Sequence, residues 1–168
     1  GWDRWVSALA GRYAGRVSCW EIWNEADFCA EISAMEYADL FVRTASAIRG
    51  HDPSARILGL SLAGKVAFGE DFLRCLAGSG NQDLLDALTF HGYPHNPDTG
   101  FDLPEALAAA CSRTGFDVPL EQGETGAPSE TLHGIDLALA TFEWSPRKQA
   151  AWNLRRMLAH HARGYAMS

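Results

Sequence analysis

Short apolar runs and amphipathic helical stripes alternate along this chain, and that alternation leaves few folds open. Trp2, Trp5, Val6, Leu9, Ala10 and Tyr13 share one helical stripe, closed by Gly15. A strand is expected over 17–24, where Trp20, Ile22 and Trp23 favour a pleated, buried setting. Ser33-Ala34-Met35-Glu36 is a capping-box pattern. It opens a helix whose stripe is Tyr37, Leu40, Phe41, Thr44, Ala45 and Ile48, stopped by Gly50 and Asp52-Pro53. Residues 55–63 read as a strand buried on both faces. A helix near 70–77, a strand within 84–93, a helix over 102–113 and a strand over 118–124 follow. Ser145-Pro146 places an N-cap before a proline at the first helical position, and a further strand opens at Tyr165.

Strict strand–helix alternation implies a parallel sheet, either an open doubly wound sheet or a closed barrel. No glycine-rich phosphate loop follows any strand, which weighs against the nucleotide-binding open sheet. Glu124 follows Glu25 by 99 residues across three strand-to-strand steps, 33 per step. A (β/α)8 barrel of roughly 250 residues uses about 31 per unit. On that spacing the 168 residues hold about five of the eight units. The chain opens on Gly1-Trp2-Asp3 and closes on Tyr165-Ala166-Met167-Ser168. The expectation is therefore a barrel fragment cut at both ends, with localisation left open.

A net charge of −7 disfavours nucleic acid and anionic membrane surfaces as partners, and no apolar stretch is long enough for a membrane span. The four cysteines, Cys19, Cys29, Cys75 and Cys111, form no C-x-x-C pair; neither a disulfide framework nor a zinc ribbon is indicated. Cys29 reads as a loop thiol. His51 reads as a cation at a helix C-terminus, and His160-His161 as facing solvent and helix packing. His91 and His95 lack the spacing of a helical metal pair, so no metal is expected, with a site combining them with Glu124 as the minor alternative. Trp2, Trp5 and Trp152 read as packing between helices and barrel.

Parallel barrels carry their chemistry at the C-terminal strand ends. Those ends gather Asn24-Glu25, Ser61, His91 and Tyr93, then Gln122 and Glu124. By strand alternation Glu21, Trp23 and Glu25 share a face, as do Thr89, His91 and Tyr93. Asn24 has the other parity and reaches the site only through a bend. Glu21 sits inside an apolar run and calls for a basic partner. Glu121 is a rival carboxylate to Glu124, mid-strand and of opposite parity. Two carboxylates on separate strands suit glycosidic bond cleavage, one protonated to donate and one ionised to attack or activate water. Their proximity itself separates their pKa values. Trp23 and Trp144 are candidates for sugar stacking, and the segment Thr131–Trp144 for a lid or a packed insertion.

Trp20-Glu21-Ile22-Trp23-Asn24-Glu25 resembles the fourth-strand signature of clan A glycoside hydrolases. Asp52-Pro53-Ser54-Ala55, Phe90-His91-Gly92-Tyr93-Pro94 and Gly123-Glu124-Thr125-Gly126 are similar to the same clan, in the same order, with a flavour of families 39 and 5. The resemblance implies an α/β fold: a partial (β/α)8 TIM barrel of about strands 4 to 7 with flanking helices and the start of strand 8, residues 1–168 being a fragment of one domain. It implies a retaining O-glycoside hydrolase acting on a carbohydrate without a cofactor. Glu25 would be the acid/base, Glu124 the nucleophile, Asn24 the holder of a sugar 2-hydroxyl. Tyr93 would donate a hydrogen bond to the nucleophile, with His91 beside it. Gly123 departs from the pattern, which usually has Thr or a similar residue before the nucleophile. That departure keeps a second reading open, a carbohydrate-binding barrel without turnover. An incomplete barrel with two open strand edges leaves a third, a truncated inactive fragment.

Overall fold

The computed structural model describes residues 1–28, 31–134 and 138–167. Among them, five strands alternate with five helices: α1 (Trp2–Tyr13), β1 (Cys19–Glu21), α2 (Ala34–His51), β2 (Arg56–Leu62), α3 (Val66–Ser79), β3 (Ala87–His91), α4 (Asp102–Thr114), β4 (Leu120–Glu124), α5 (Pro146–His161) and β5 (Ala166–Met167). The strands lie side by side in chain order, every neighbouring pair parallel. The sheet curls into a half-barrel flanked by helices, part of a (β/α)8 barrel. No described helix is long and apolar enough to cross a membrane. Cys29 lies outside the described residues; Cys19, Cys75 and Cys111 are free thiols.

Local signals explain most element starts. The Ser33 side chain accepts from Glu36 N while Glu36 Oε2 accepts from Ser33 N at 2.8 Å, closing the capping box of α2. Ser145 caps α5 by accepting from Lys148 N, with Pro146 at the first helical position. Gly80 and Gly115 end α3 and α4 in the left-handed conformation.

Strand register assigns the two faces. Cys19 and Glu21 pair with Arg56 and Leu58, Leu58 with Ala87, and Thr89 with Glu121; these residues line the concave face. Ile22, Ile57, Leu88 and Phe90 face outward and join one core with Val6, Tyr37, Phe41, Phe72, Leu76 and Leu107 from the helices. Rings of Tyr37, Phe41 and Phe72 meet at 5.0–6.4 Å. Each large apolar side chain buried there contributes roughly 1.5–3 kcal/mol. Gly59 permits the tightest point of this packing, because a Cβ there would stand 3.0 Å from both Leu85 and Phe41.

Several expectations are corrected. β1 has three residues rather than the span 17–24, because Trp23 turns to φ +68° and leaves strand geometry. α3 starts at Val66 rather than near 70, because Asp27 organises the loop before it (below). A 3-10 turn at Gln82–Leu84 precedes β3. His160 is fully buried rather than solvent-facing, packed among Phe90, Phe101 and Tyr165. Trp152 is buried as expected and Trp2 is half-buried, but Trp5 stays 56% exposed.

Candidate active site

One turn and one bulge carry the candidate residues to the concave rim. The turn follows β1, with Trp23 at φ +68° and Glu25 at φ +47°. These are uncommon values for non-glycine residues and are held in place by the surrounding structure. Tyr37 of α2 supplies part of that hold: its hydroxyl donates to Ile22 O at 2.8 Å and accepts from Leu60 N at 2.9 Å. Complete burial pushes this phenol's pKa well above the ordinary tyrosine range. Ser61 Oγ donates to Trp23 O at 3.3 Å.

Asp27 supplies the rest. Its buried carboxylate accepts from Ala63 N at 3.0 Å and from Gly64 N and Lys65 N at 2.9 Å, and Lys65 Nζ donates back to Asp27 O at 2.5 Å. The turn bearing Glu25 is thereby fixed to the loop that opens α3.

The bulge sets Glu124. Phe90 pairs with Gln122, but His91 pairs with Glu124, so Gly123 is the extra residue on β4. The bulge turns Glu124 onto the face of His91, which is also the face of Glu121. Parity therefore does not separate the two carboxylates, contrary to the alternation argument. Depth and partner do. Glu121 lies deeper along the strand and accepts from both terminal nitrogens of Arg56, one at 3.1 Å. Glu124 sits at the rim, its side chain 49% exposed.

At the rim His91 Nδ1 lies 2.8 Å from Glu25 Oε1 and 3.9 Å from Glu124 Oε2. Tyr93 OH donates to Glu124 Oε1. Burial first, then this bond and the charges of Glu124 and Glu25, push the Tyr93 pKa up, so the phenol stays a donor at neutral pH. One ligand atom each of Glu25, His91 and Glu124 lie within 4.8 Å of one another. The trio thus offers a divalent ion three donors of mixed oxygen and nitrogen type, although the imidazole nitrogen nearest the carboxylates is already engaged by Glu25. Thr125 Oγ1 donates to Gly92 O at 2.6 Å, and Gly92 N to Glu124 O at 3.3 Å. Together they stitch the two strand ends.

The structure thus brings together Glu25, His91, Tyr93 and Glu124. The other expected residues line two hollows. Trp23 is 43% exposed and packs on Trp2, ring centroids 5.6 Å apart. With Asn24, Trp5 and Trp20 it lines a cleft of about 590 Å³ beside the β1 edge. Trp144 lies in a second groove, near His95. Glu21 reaches inward toward Gly123, Thr89 and His91: a Cβ on Gly123 would stand 3.2 Å from Glu21 Oε1 and from Thr89 Cβ, and 3.5 Å from His91 Nε2. A side chain before Glu124 would require Glu21 or Thr89 to give way by a few tenths of an ångström.

Sequence reasoning did not single out Asp27, Tyr37 or Thr125. Tyr37 was visible only as one apolar position of α2. Asp27 carried no local signal, since its donors lie 36–38 residues later in the chain.

No protein-family model matches the chain, and no curated protein sequence matches it either. Solved structures do match in fold. A glucosidase from Croceicoccus marinus superposes with a TM-score of 0.77 at 18% identity, covering 99% of this chain and 36% of that one. A monomeric β-xylosidase from Caulobacter crescentus gives 0.68 at 20% identity, covering 95% and 36%. A family 39 glycoside hydrolase from Bacteroides cellulosilyticus gives 0.68 at 16% identity, covering 98% and 35%. The chain shares the fold of part of these barrels and spans a little over a third of their length.

Proposed function

We propose that this half-barrel carries the catalytic pair of a retaining O-glycoside hydrolase that acts on a carbohydrate by double displacement. The observation that carries the reading is the approach of Glu25 and Glu124, carboxylate oxygens within 4.8 Å of each other across two strand ends. Retaining enzymes hold their carboxyl groups about 5–5.5 Å apart, whereas inverting ones leave about 6.5–9.5 Å for a water. The fold shared with glycosidases supports the same reading.

In this mechanism Glu124 attacks the anomeric carbon and Glu25 protonates the departing oxygen. Glu25 then takes a proton from the water that releases the sugar. The environments suit the division of labour. Glu124 is the more exposed, and the Tyr93 hydroxyl holds Oε1, which leaves Oε2 to attack. Glu25 is 17% exposed, and a His91 N–H directed at Oε1 sends its transferable proton to Oε2. Arg56 pairs with Glu121 below the two carboxylates, which supports Glu124 over Glu121 as the nucleophile.

Hydrolysis of aryl glycosides tests the reading. Glu124→Ala and Glu25→Ala each remove it, and wild-type rates in both variants would overturn it. Gly123 gives the alternative, a binding barrel without turnover, its one specific motive. The room that Glu21 takes beside Gly123 favours a small residue there within the hydrolase reading.

A further inference from the structure

A second groove of about 590 Å³ runs between the segment after β3 and the start of α5, lined by His95, Asn96, Phe142, Glu143, Trp144 and Trp152 among others. Its walls are aromatic and fixed in place. The ring of Phe142 stacks on His95, centroids 3.9 Å apart and planes at 20°, while Phe142 remains 39% exposed. Trp144 Nε1 donates to Leu139 O at 2.6 Å, and its backbone N donates to Thr131 Oγ1 at 3.0 Å. Trp152 Nε1 donates to Pro94 O and His95 O at 3.2 and 3.1 Å. Rings pinned in this way lose little freedom when a ligand arrives. Flat apolar faces with a few polar groups between them suit the C–H faces and hydroxyls of a sugar.

The charges narrow the ligand class. Lys148 Nζ donates to Glu143 O at 2.8 Å and stands 3.7 Å from Glu143 Oε2. Arg155 pairs with Asp98 and reaches Asn96 Oδ1 at 3.3 Å. Both cations of the groove are thus matched by carboxylates, and a phosphate or uronate would find no surplus positive charge. A neutral polyhydroxylated chain fits instead. Position narrows it further, because only Pro94 separates His95, on the groove wall, from Tyr93, which holds Glu124.

We propose that this groove is a sugar-binding subsite, separate from the carboxylate pair, that takes a further stretch of a neutral oligosaccharide or polysaccharide. The proposal rests on the hydrolase reading for its link to turnover, and binding alone tests it without that link. Two variants probe it: Phe142→Ala removes a platform, and Ala151→Glu puts a bulky carboxylate on an exposed position of the lining. Kinetics are compared for short aryl glycosides and for neutral β-linked gluco- and xylo-oligosaccharides of increasing length. Both variants are expected to raise KM for the long substrates about tenfold while leaving short aryl glycosides unchanged. An unaltered ratio of long- to short-substrate kcat/KM in both variants overturns the proposal and leaves the hydrolase reading standing. In parallel, migration of the Glu124→Gln protein is followed in gels containing neutral xyloglucan or anionic polygalacturonate. Retardation by the neutral polymer, lost on adding Phe142→Ala, supports the subsite even if no glycoside is hydrolysed. No retardation by the neutral polymer, or equal retardation with and without Phe142, overturns it.

Discussion

Tyr93 shows how much one hydroxyl contributes at the rim. It gives Glu124 a charge-assisted hydrogen bond, and such bonds contribute about 1.5–3 kcal/mol. In the hydrolase reading that bond orients the attacking oxygen. Tyr93→Phe is therefore expected to lower kcat on an aryl glycoside by roughly tenfold to a hundredfold, with the melting temperature nearly unchanged. An unchanged kcat would remove Tyr93 from the mechanism. At the same scale Gly123→Thr is expected to destabilise the protein, because its Cβ would press within 3.2 Å of Glu21 Oε1 and Thr89. Thermal melts of Gly123→Thr beside Gly123→Ala check this, and an equal or raised melting temperature for the threonine variant would contradict the crowding argument. The sequence exposed the identities of these residues well, since aromatic bulk mixed with titratable groups at strand ends is unusual. It hid the bulge at Gly123, because alternation counts residues evenly and a bulge adds one.

The turn after β1 holds its strained backbone only because α2 and the loop before α3 grip it. Asp27 makes three backbone hydrogen bonds from a buried position. Asp27→Ala leaves those donors unmet, at about 1–3 kcal/mol per group left without water. A loss of several degrees in melting temperature, with activity falling alongside, is the expected outcome; a melting temperature equal to wild type would show that water replaces the carboxylate. Helix α5 acts in the same way on the segment after β3. The guanidinium of Arg156, entirely buried, donates to Pro97 O at 3.2 Å and Thr99 O at 2.6 Å, and burial, with some help from Arg163, pulls its pKa down to about 10. One turn on, burial also depresses His160 below its usual 6.5. A histidine held below its unfolded value stabilises the fold above that value and loses the contribution as pH falls past it. Stability is thus expected to drop from about pH 6.5 downward, and His160→Gln should flatten that limb in melts recorded across pH. A limb of equal slope in the variant would assign the acid sensitivity to other groups. Neither grip was legible from sequence. His160 read as facing solvent and helix packing, whereas Phe90 of β3 and the rings of Phe101 and Tyr165, just before α4 and β5, pack around it.

Across the molecule, periodicity and spacing sufficed to indicate a parallel α/β half-barrel, because each helix carries one apolar stripe and each strand ends in a turn signal. What they could not indicate was how the strand ends twist. Trp23 and Asn24 therefore line the cleft by β1, on the Trp2 side. Among the described residues β1 and β5 each pair with one neighbour only, and Trp5 and Trp23 are exposed near the β1 edge. Unpaired strand edges with apolar surroundings favour association. The isolated 168-residue chain is accordingly expected to self-associate in sedimentation experiments, and a monodisperse monomer with a sharp cooperative melt would contradict that. The central claim concerns the paired carboxylates, and it has a stereochemical readout. Proton NMR of the first sugar released from an aryl glycoside, read before mutarotation, reports whether the anomeric configuration is kept. With Glu25 and Glu124 oxygens within 4.8 Å, the account predicts net retention; release of the inverted anomer would contradict it.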